Sequence, residues 1–502
     1  MSELRLIVGE NRLDSTFPLR ESMMIHRTLL TVCLVFALGP NRASAQTDQE
    51  INATIQFNFL NPGARSLGFG GAFLALADDA TAAFTNPAGL TNLREMEISI
   101  EGRGFDFSHI FVNGGRTITQ APTGLGIDQQ GGLTSGSARD RVQGLSFLSF
   151  VYPGRGWALA AYYRQAANFR ASGIESQGPF ISPDLNFFDN SNFHNLRECA
   201  AFRGNTLPLD DPCGDGRFSA YRAQMDLDVT DLGVSGAVTL GSVRLGLGVS
   251  FYDLSMRSVT ERFFTLDYEA ADFSGDNEFY SSSQEGNGRD TAVNLGLLWR
   301  GDQWSAAAVF RQGPTFPMKA SAVVISEFEF DAVLHLPDVF GFGLAFAPTR
   351  HSKISLDYDR VRYSQLTDDF LVAISEFAFA TSPDDWKVDD ADEIHIGFEY
   401  GWRDLRVPVF LRLGAWYDPE HRLRFVGDIP QGEFQPNEFL RLTLQQQIIA
   451  NRAIFQAGED EIHYAAGVGF RFGDRVQTDV AIDYSQRLTT AAISAVVFLG
   501  SR

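Results

Sequence analysis

From about residue 93 to its end, the chain alternates apolar residues with small or polar ones at a period of two, in runs bounded by turn signals. Leu232, Val234, Val238 and Leu240 alternate with Gly233, Ser235, Ala237 and Thr239. After Gly241-Ser242, the residues Val243, Leu245, Leu247, Val249 and Phe251 alternate with Arg244, Gly246, Gly248 and Ser250. Near the C-terminus, Val476, Val480, Ile482 and Tyr484 alternate with Gln477, Asp479, Ala481 and Asp483. Each run predicts a strand with one apolar face.

The connections predict how these strands are joined. Short turns fall at Pro153–Gly156, Gly241-Ser242, Gly301-Asp302, Pro348–Ser352, Gly401–Arg406 and Gly473-Asp474. Between them lie long polar or Gly-rich stretches near 105–141, 169–227, 265–289, 318–337, 365–390 and 418–459. Short turns alternating with long loops are the connectivity of an outer-membrane barrel, and the count comes to roughly fourteen strands, an even number. Only the last connection, near Gln486–Leu488, is short where a long one is due. Trp157, Trp299, Trp304 and Trp402 stand beside short turns and Trp416 near the other end of its strand, as interfacial girdles require. A soluble β-sandwich also alternates, but its turns need not alternate in length. The fold class expected is therefore all-β: a transmembrane antiparallel β-barrel in the lipid bilayer of the bacterial outer membrane, working as a monomer.

The N-terminus modifies this picture. Arg27 precedes the short apolar run Thr28–Leu38, and Ala43-Ser44-Ala45 forms a small-residue cleavage site, the pattern of a secretory signal peptide. The mature chain is expected to start at Gln46, with 1–22 explained by a mis-assigned start codon. Cys33 leaves with the signal. Cys199 and Cys213 remain as an even pair in an exported chain, which predicts a disulfide in an outer loop. Two cysteines without nearby paired histidines are too few for zinc. A net charge of −21 excludes nucleic acid as a partner.

Residues 46–92 do not alternate. They contain Asn61-Pro-Gly-Ala-Arg-Ser-Leu-Gly-Phe-Gly-Gly-Ala-Phe73, then Ala77-Asp-Asp-Ala80, then Asn86-Pro-Ala88 followed by Gly89. This stretch resembles the N-terminal segment of the outer-membrane transporters of long-chain fatty acids and other hydrophobic compounds (FadL type). The resemblance implies a division into a cleaved region 1–45, a hatch 46–92 plugging the lumen, and a barrel 93–502. It also implies passive uptake of hydrophobic small molecules. Small residues suit a plug that packs against lumen side chains, Pro87 fixes a kink, and Asn86 can bond its own turn. Asp78 and Asp79 are expected to pair with lumen arginines such as Arg244, Arg412 or Arg471. A dinucleotide loop at Gly68-x-Gly70-Gly71 is disfavoured because no βαβ unit follows.

Candidate chemistry is sparse. No Gly-x-Ser-x-Gly elbow and no His-Glu-x-x-His occurs, so no catalytic residue, metal site or cofactor is expected. His395 shares a strand face with Glu393 and Glu399, and a hydrogen-bonded lumen network accounts for the trio better than a proton relay. Asp226, Asp228 and Asp231, and the run Asp389–Glu393, read as solvated loop edges. In the loop after residue 169, Phe169, Phe180, Phe187, Phe188 and Phe193 supply an apolar surface for ligand capture, or pack on themselves under the disulfide. Two other functions compete with uptake. One is a barrel serving as a docking or assembly partner in protein secretion; the other is a lipid hydrolase, which lacks its nucleophile elbow.

Overall fold

The computed structural model describes residues 49–57, 59–115, 132–181, 216–217, 220–263, 270–323, 327–368, 383–428, 448 and 451–500. The signal region 1–45, both cysteines of the expected disulfide, and Phe187, Phe188 and Phe193 lie outside the described residues, as does the side chain of Phe180.

Fourteen antiparallel strands close into one barrel. They begin with β1 (Glu97–Gly115), β2 (Leu133–Pro153), β3 (Trp157–Ser176), β4 (Ala220–Leu240) and β5 (Val243–Phe263). Next come β6 (Glu278–Arg300), β7 (Trp304–Arg311), β8 (Val339–Phe346), β9 (Ser352–Val361) and β10 (Ala391–Trp402). The wall ends with β11 (Val409–Asp418), β12 (Glu461–Phe472), β13 (Val476–Tyr484) and β14 (Leu488–Phe498), and β14 pairs back onto β1. An extra hairpin, Thr315–Val323 with Glu327–His335, adds to the upper edge of β6. The short turns fall at one end, except the β13–β14 turn at 485–487, which lies at the other. No helix among the described residues is long and apolar enough to cross a membrane, so strands must do so.

The outward face explains both what the alternation foretold and where it stopped. On β5 the outward residues Leu245, Leu247 and Phe251 are exposed and apolar; above them come Asp253 and Arg257. On β6, Leu295, Leu297 and Trp299 give way to Arg289, Asn287 and Glu285. An apolar belt thus rings the short-turn half, as lipid requires. Strands of 19 to 23 residues, such as β1 and β6, exceed the roughly 9–11 that span a bilayer, so their upper halves project beyond it. This corrects several expected loops: parts of 105–141, 265–289 and 318–337 are strand, hidden from the sequence because their outer face is wet and polar.

A cross-strand row of alternating charge crosses that projecting sheet: Arg170, Asp226, Arg257, Glu285, Lys319 and Asp331 are successive register partners. Arg170 Nε meets Asp226 Oδ1 at 2.5 Å, and Lys319 is paired with Asp331. Opposite charges placed side by side suit a solvated sheet face. The cluster Asp226, Asp228 and Asp231 is accordingly on β4 rather than at a loop edge, and parity sends Asp231 inward.

Inside the lower barrel sits the chain from residue 59 to 93. Its Ala64, Leu67, Phe69, Phe73, Ala82 and Ala88 are fully buried. Inward-facing glycines on the wall make the room. A Cβ at Gly246 would lie 2.1 Å from the Ala88 nitrogen; at Gly414, 2.2 Å from the Gly70 nitrogen; at Gly397, 2.5 Å from the Phe69 carbonyl oxygen. Only glycine lets two backbones approach so closely.

Candidate functional site

The N-terminal segment is fastened to the wall by polar groups at nearly every turn. Arg103 Nη2 and Arg311 Nη2 donate to the carbonyl and side-chain oxygens of Asn61, at 3.1 and 2.7 Å. Glu101 Oε2 accepts from the Gly63 amide (2.8 Å) and Asp357 Oδ2 from the Leu74 amide (2.8 Å). Asn86 caps the short 3-10 turn Pro87–Asn92: its Oδ1 accepts from the Ala88 amide (3.1 Å) and its Nδ2 donates to the Leu74 carbonyl (3.0 Å).

Asp78 and Asp79 are held mainly by Arg65, at 2.7 and 3.0 Å, and Asp78 also by Lys353 at 2.7 Å. The expected partners serve elsewhere. Arg412, 1% exposed on its side chain, bonds Glu399 (2.8 Å) and Asp479 (2.6 Å), and Glu399 links it back to Arg65 at 3.5 Å. Arg244 faces inward near a short turn with no carboxylate partner among the described residues. Arg471 lies over the Phe498 ring. The carboxylates reach for the nearest cation in their own segment, a contact between positions 13 and 14 apart that alternation cannot reveal.

The wall has one interruption. Strands β2 and β3 are laddered only from Phe147–Pro153 to Ala158–Arg164. Above that, β2 continues to pair with β1 and β3 with β4, but not with each other. Register shifts mark the departure, between Gln165 and Ala167 on β3 and between Glu101 and Gly102 on β1. Such bulges bend strands and end pairing. Behind the gap is a cavity of about 550 Å³, lined by Ser146 and Arg164–Asn168 from its two edges and by Leu60, Phe105 and Phe107 from within. Its floor is the Arg164–Asp231 pair (2.9 Å), with the guanidinium 3.7 Å from the Phe84 ring. The gap opens level with Leu232 and Phe251, the top of the apolar belt.

A second cavity, about 710 Å³, lies towards the outer end, with Asp418, His421, Arg422, Glu461, His463 and Arg487 among its lining. Residues 53–57 of the N-terminal segment line it, and Gln56 lines the gap cavity too, so this short stretch partitions the two. Outside the spanning strands, burial alone would lower His421, but Asp418 at 3.3 Å outweighs it and pushes the imidazole up to about 9.

His395 is a network residue: Nδ1 donates to the Gly70 carbonyl (2.8 Å), while Nε2 faces Glu393 at 3.3 Å and Asp359 at 3.8 Å. A second histidine also stands amid same-face carboxylates. His463 sits on Asp483 at 2.7 Å with Glu461 two residues away, a spacing that was legible. Trp416, expected in the girdle, is buried between His395 and His463 with ring centroids 5.1 and 3.8 Å away, because its parity is that of Arg412. Trp157, Trp299, Trp304 and Trp402 do face outward at the short-turn end. Phe169 is not in a loop: it lies on β3 and is buried against Phe107, 5.3 Å between centroids. Among the described residues no group of three His, Cys, Asp or Glu side chains is placed to hold a metal.

No protein-family model matches the chain, and neither does any curated protein. Among solved structures it is similar to a Pseudomonas aeruginosa FadL homologue, with TM-score 0.55, 11% identity, and coverage of 89% of this chain and 100% of that one. It is also similar to the toluene transporter TodX of P. putida, with TM-score 0.50, 13% identity, and coverage of 89% and 100%. The chain therefore has the fold of the FadL-type outer-membrane barrels. Its closed even-stranded wall and outward apolar belt are the architecture that spans a bacterial outer membrane.

Proposed function

We propose that this barrel takes up hydrophobic small molecules passively across the outer membrane, long-chain fatty acids and hydrocarbons being the classes to test. The observation that carries the reading is the gap between β2 and β3, backed by a cavity and opening at the top of the apolar belt. Residues 46–92 act as a hatch that blocks the axial route, leaving the wall as the way out. An apolar molecule passing from the gap cavity into lipid never meets bulk water, which removes the main barrier to its movement. Transport needs no cofactor in this scheme, and a single chain supplies every part. The assignment of 1–45 to a cleaved signal belongs to the same proposal.

Uptake of oleate and of toluene by cells expressing the protein, compared with cells lacking it, tests the reading. Equal rates for both substrates would refute it. Mass spectrometry of the purified barrel separates it from a secretion-docking role: bound lipid supports uptake, whereas co-purified protein without lipid supports docking.

A further inference from the structure

We infer that Asp140 is the strut that holds the wall gap open, a positioning residue for the uptake proposed above, on which this inference rests. A gap in a sheet is costly, because both edges leave backbone donors and acceptors without ladder partners. Nothing in the upper halves of β2 and β3 bars pairing by composition, so something must hold them apart.

The contacts of upper β3 show what does. Instead of lying beside β2, it leans inward and reaches across to β1. Both oxygens of Asp140, on β2, are taken by one residue of β3: Oδ2 accepts from the Ser172 amide at 2.7 Å, and Oδ1 from its hydroxyl at 2.5 Å. His109 of β1 stands 3.0 Å from the Arg170 carbonyl and 3.6 Å from Asp140. Higher up, Ser176 donates to the Val112 carbonyl (2.7 Å), and Asn113 accepts from the Gln177 amide (3.0 Å). Phe169 completes the anchor on Phe107 and His109. On the same face of β2 as Asp140 stand Gly136, Ala138, Val142 and Gly144. Asp140 is the polar exception, 8% exposed, with no Arg or Lys partner among the described residues. For β3 to swing back and ladder with β2, the Ser172 amide must leave this carboxylate. A doubly engaged carboxylate therefore biases a two-position strand towards its bent state.

The test uses a background with Cys199→Ser and Cys213→Ser, carrying Gly144→Cys and Ala167→Cys. These two positions would face each other if the ladder of Phe147 with Arg164 ran on in register. With Asp140 intact the pair should not cross-link, and the uptake of this double-cysteine parent is the reference for the variants. Asp140→Ala should give cross-linking and lower oleate and toluene uptake about tenfold or more, the weight of losing a charged hydrogen-bonded anchor. Asp140→Asn, which keeps an acceptor for the Ser172 amide, should fall between. Unchanged uptake in Asp140→Ala, or reduced uptake without cross-linking, overturns the inference. If that variant fails to insert, Ser172→Ala replaces it: a partial shift in both readouts supports the strut, and no shift in either overturns it. If the parent protein takes up neither probe, the transport reading fails, while the cross-link alone still decides whether Asp140 holds the strands apart.

Discussion

Replacing Arg412 with Met should destabilise the barrel strongly, by an amount the structure allows to be worked out. Arg412 is almost wholly buried and bonds two carboxylates, Glu399 and Asp479, which are themselves buried. Removing one partner of a buried ion pair typically costs about 3–5 kcal/mol, because the remaining charge is left uncompensated. Glu399 would keep Arg65 at 3.5 Å and Lys353 at 4.0 Å. Among the described residues Asp479 would keep only the side-chain amide of Gln477, at 3.0 Å. The penalty therefore falls on Asp479, and the expected loss is about 3 kcal/mol, the lower end of that range. The double variant Arg412→Met with Asp479→Leu removes the orphan and should recover most of the loss, to within about 1 kcal/mol of the parent. Guanidinium unfolding in lipid vesicles, followed by tryptophan fluorescence and extrapolated linearly, reads both values. A single-variant loss below about 1 kcal/mol, or a double variant no more stable than the single, would refute this account of the network.

Five further expectations follow from other parts of the molecule. Asn86→Ala with Pro87→Ala removes a cap worth about 1 kcal/mol and a fixed backbone angle; the barrel should still insert and resist heat, but hydrophobic uptake should change, and unchanged uptake would make the segment a passive spacer. Gly397→Val would drive a Cβ to 2.5 Å from the Phe69 carbonyl; overpacking of this kind costs about 1–3 kcal/mol, and limited proteolysis should then cut within 49–92 while the wall stays intact. The raised His421 contributes stability that is fully present below its unfolded value near 6.5 and is lost as pH rises through about 9; Asp418→Asn should flatten that dependence in pH-dependent unfolding. N-terminal sequencing should begin at Gln46, and thiol labelling of unreduced, denatured protein should find neither Cys199 nor Cys213 free.

What could be read in the sequence was whatever repeats at a period of two against lipid. The turn-loop rhythm and the apolar-out strands gave the fourteen-stranded wall, since lipid imposes one rule on every residue it touches. Where β5 leaves the bilayer at Phe251 that rule lapses, so the projecting halves looked like loops. The lumen obeys no such rule: Trp416 and Phe169 are apolar residues facing inward; parity with Arg412 betrays the first, whereas Phe169 has the parity of outward Tyr163 and is turned inward by the register shift between Gln165 and Ala167. The gap did leave a trace. At Gln165-Ala-Ala-Asn168 the alternation falters, at the register shift that ends pairing. The glycine collar was also visible, as Gly-x-Gly at 246–248, 341–343 and 467–469, but weak strands and close backbone approach give the same signature.

The relative cost of the two exits favours the wall. An axial route requires the segment to withdraw from its glycine collar. That breaks the bond Asn86 makes to the Leu297 carbonyl and the amide bonds to Glu101 and Asp357. It also separates Lys353 from Asp78 and Arg65 from Glu399, the buried pairs that join the segment to the wall. Each broken buried pair alone costs on the order of 3–5 kcal/mol, and the hydrogen bonds add about 1 kcal/mol apiece. No binding of a small apolar ligand, worth at most a few tenths of a kcal/mol per atom at drug size, recovers such a sum. At the gap the ladder is already absent, so passage there breaks no strand pairing. What must move is the short stretch 53–57 between the two cavities, which is far less tightly bonded: among the described residues its hydrogen bonds are those of Thr54 to the Ile51 carbonyl and of Ile55 to that of Asn52, all within its own turn. Movement is therefore expected where the chain is bonded mainly to itself, and rigidity where it is bonded to the wall.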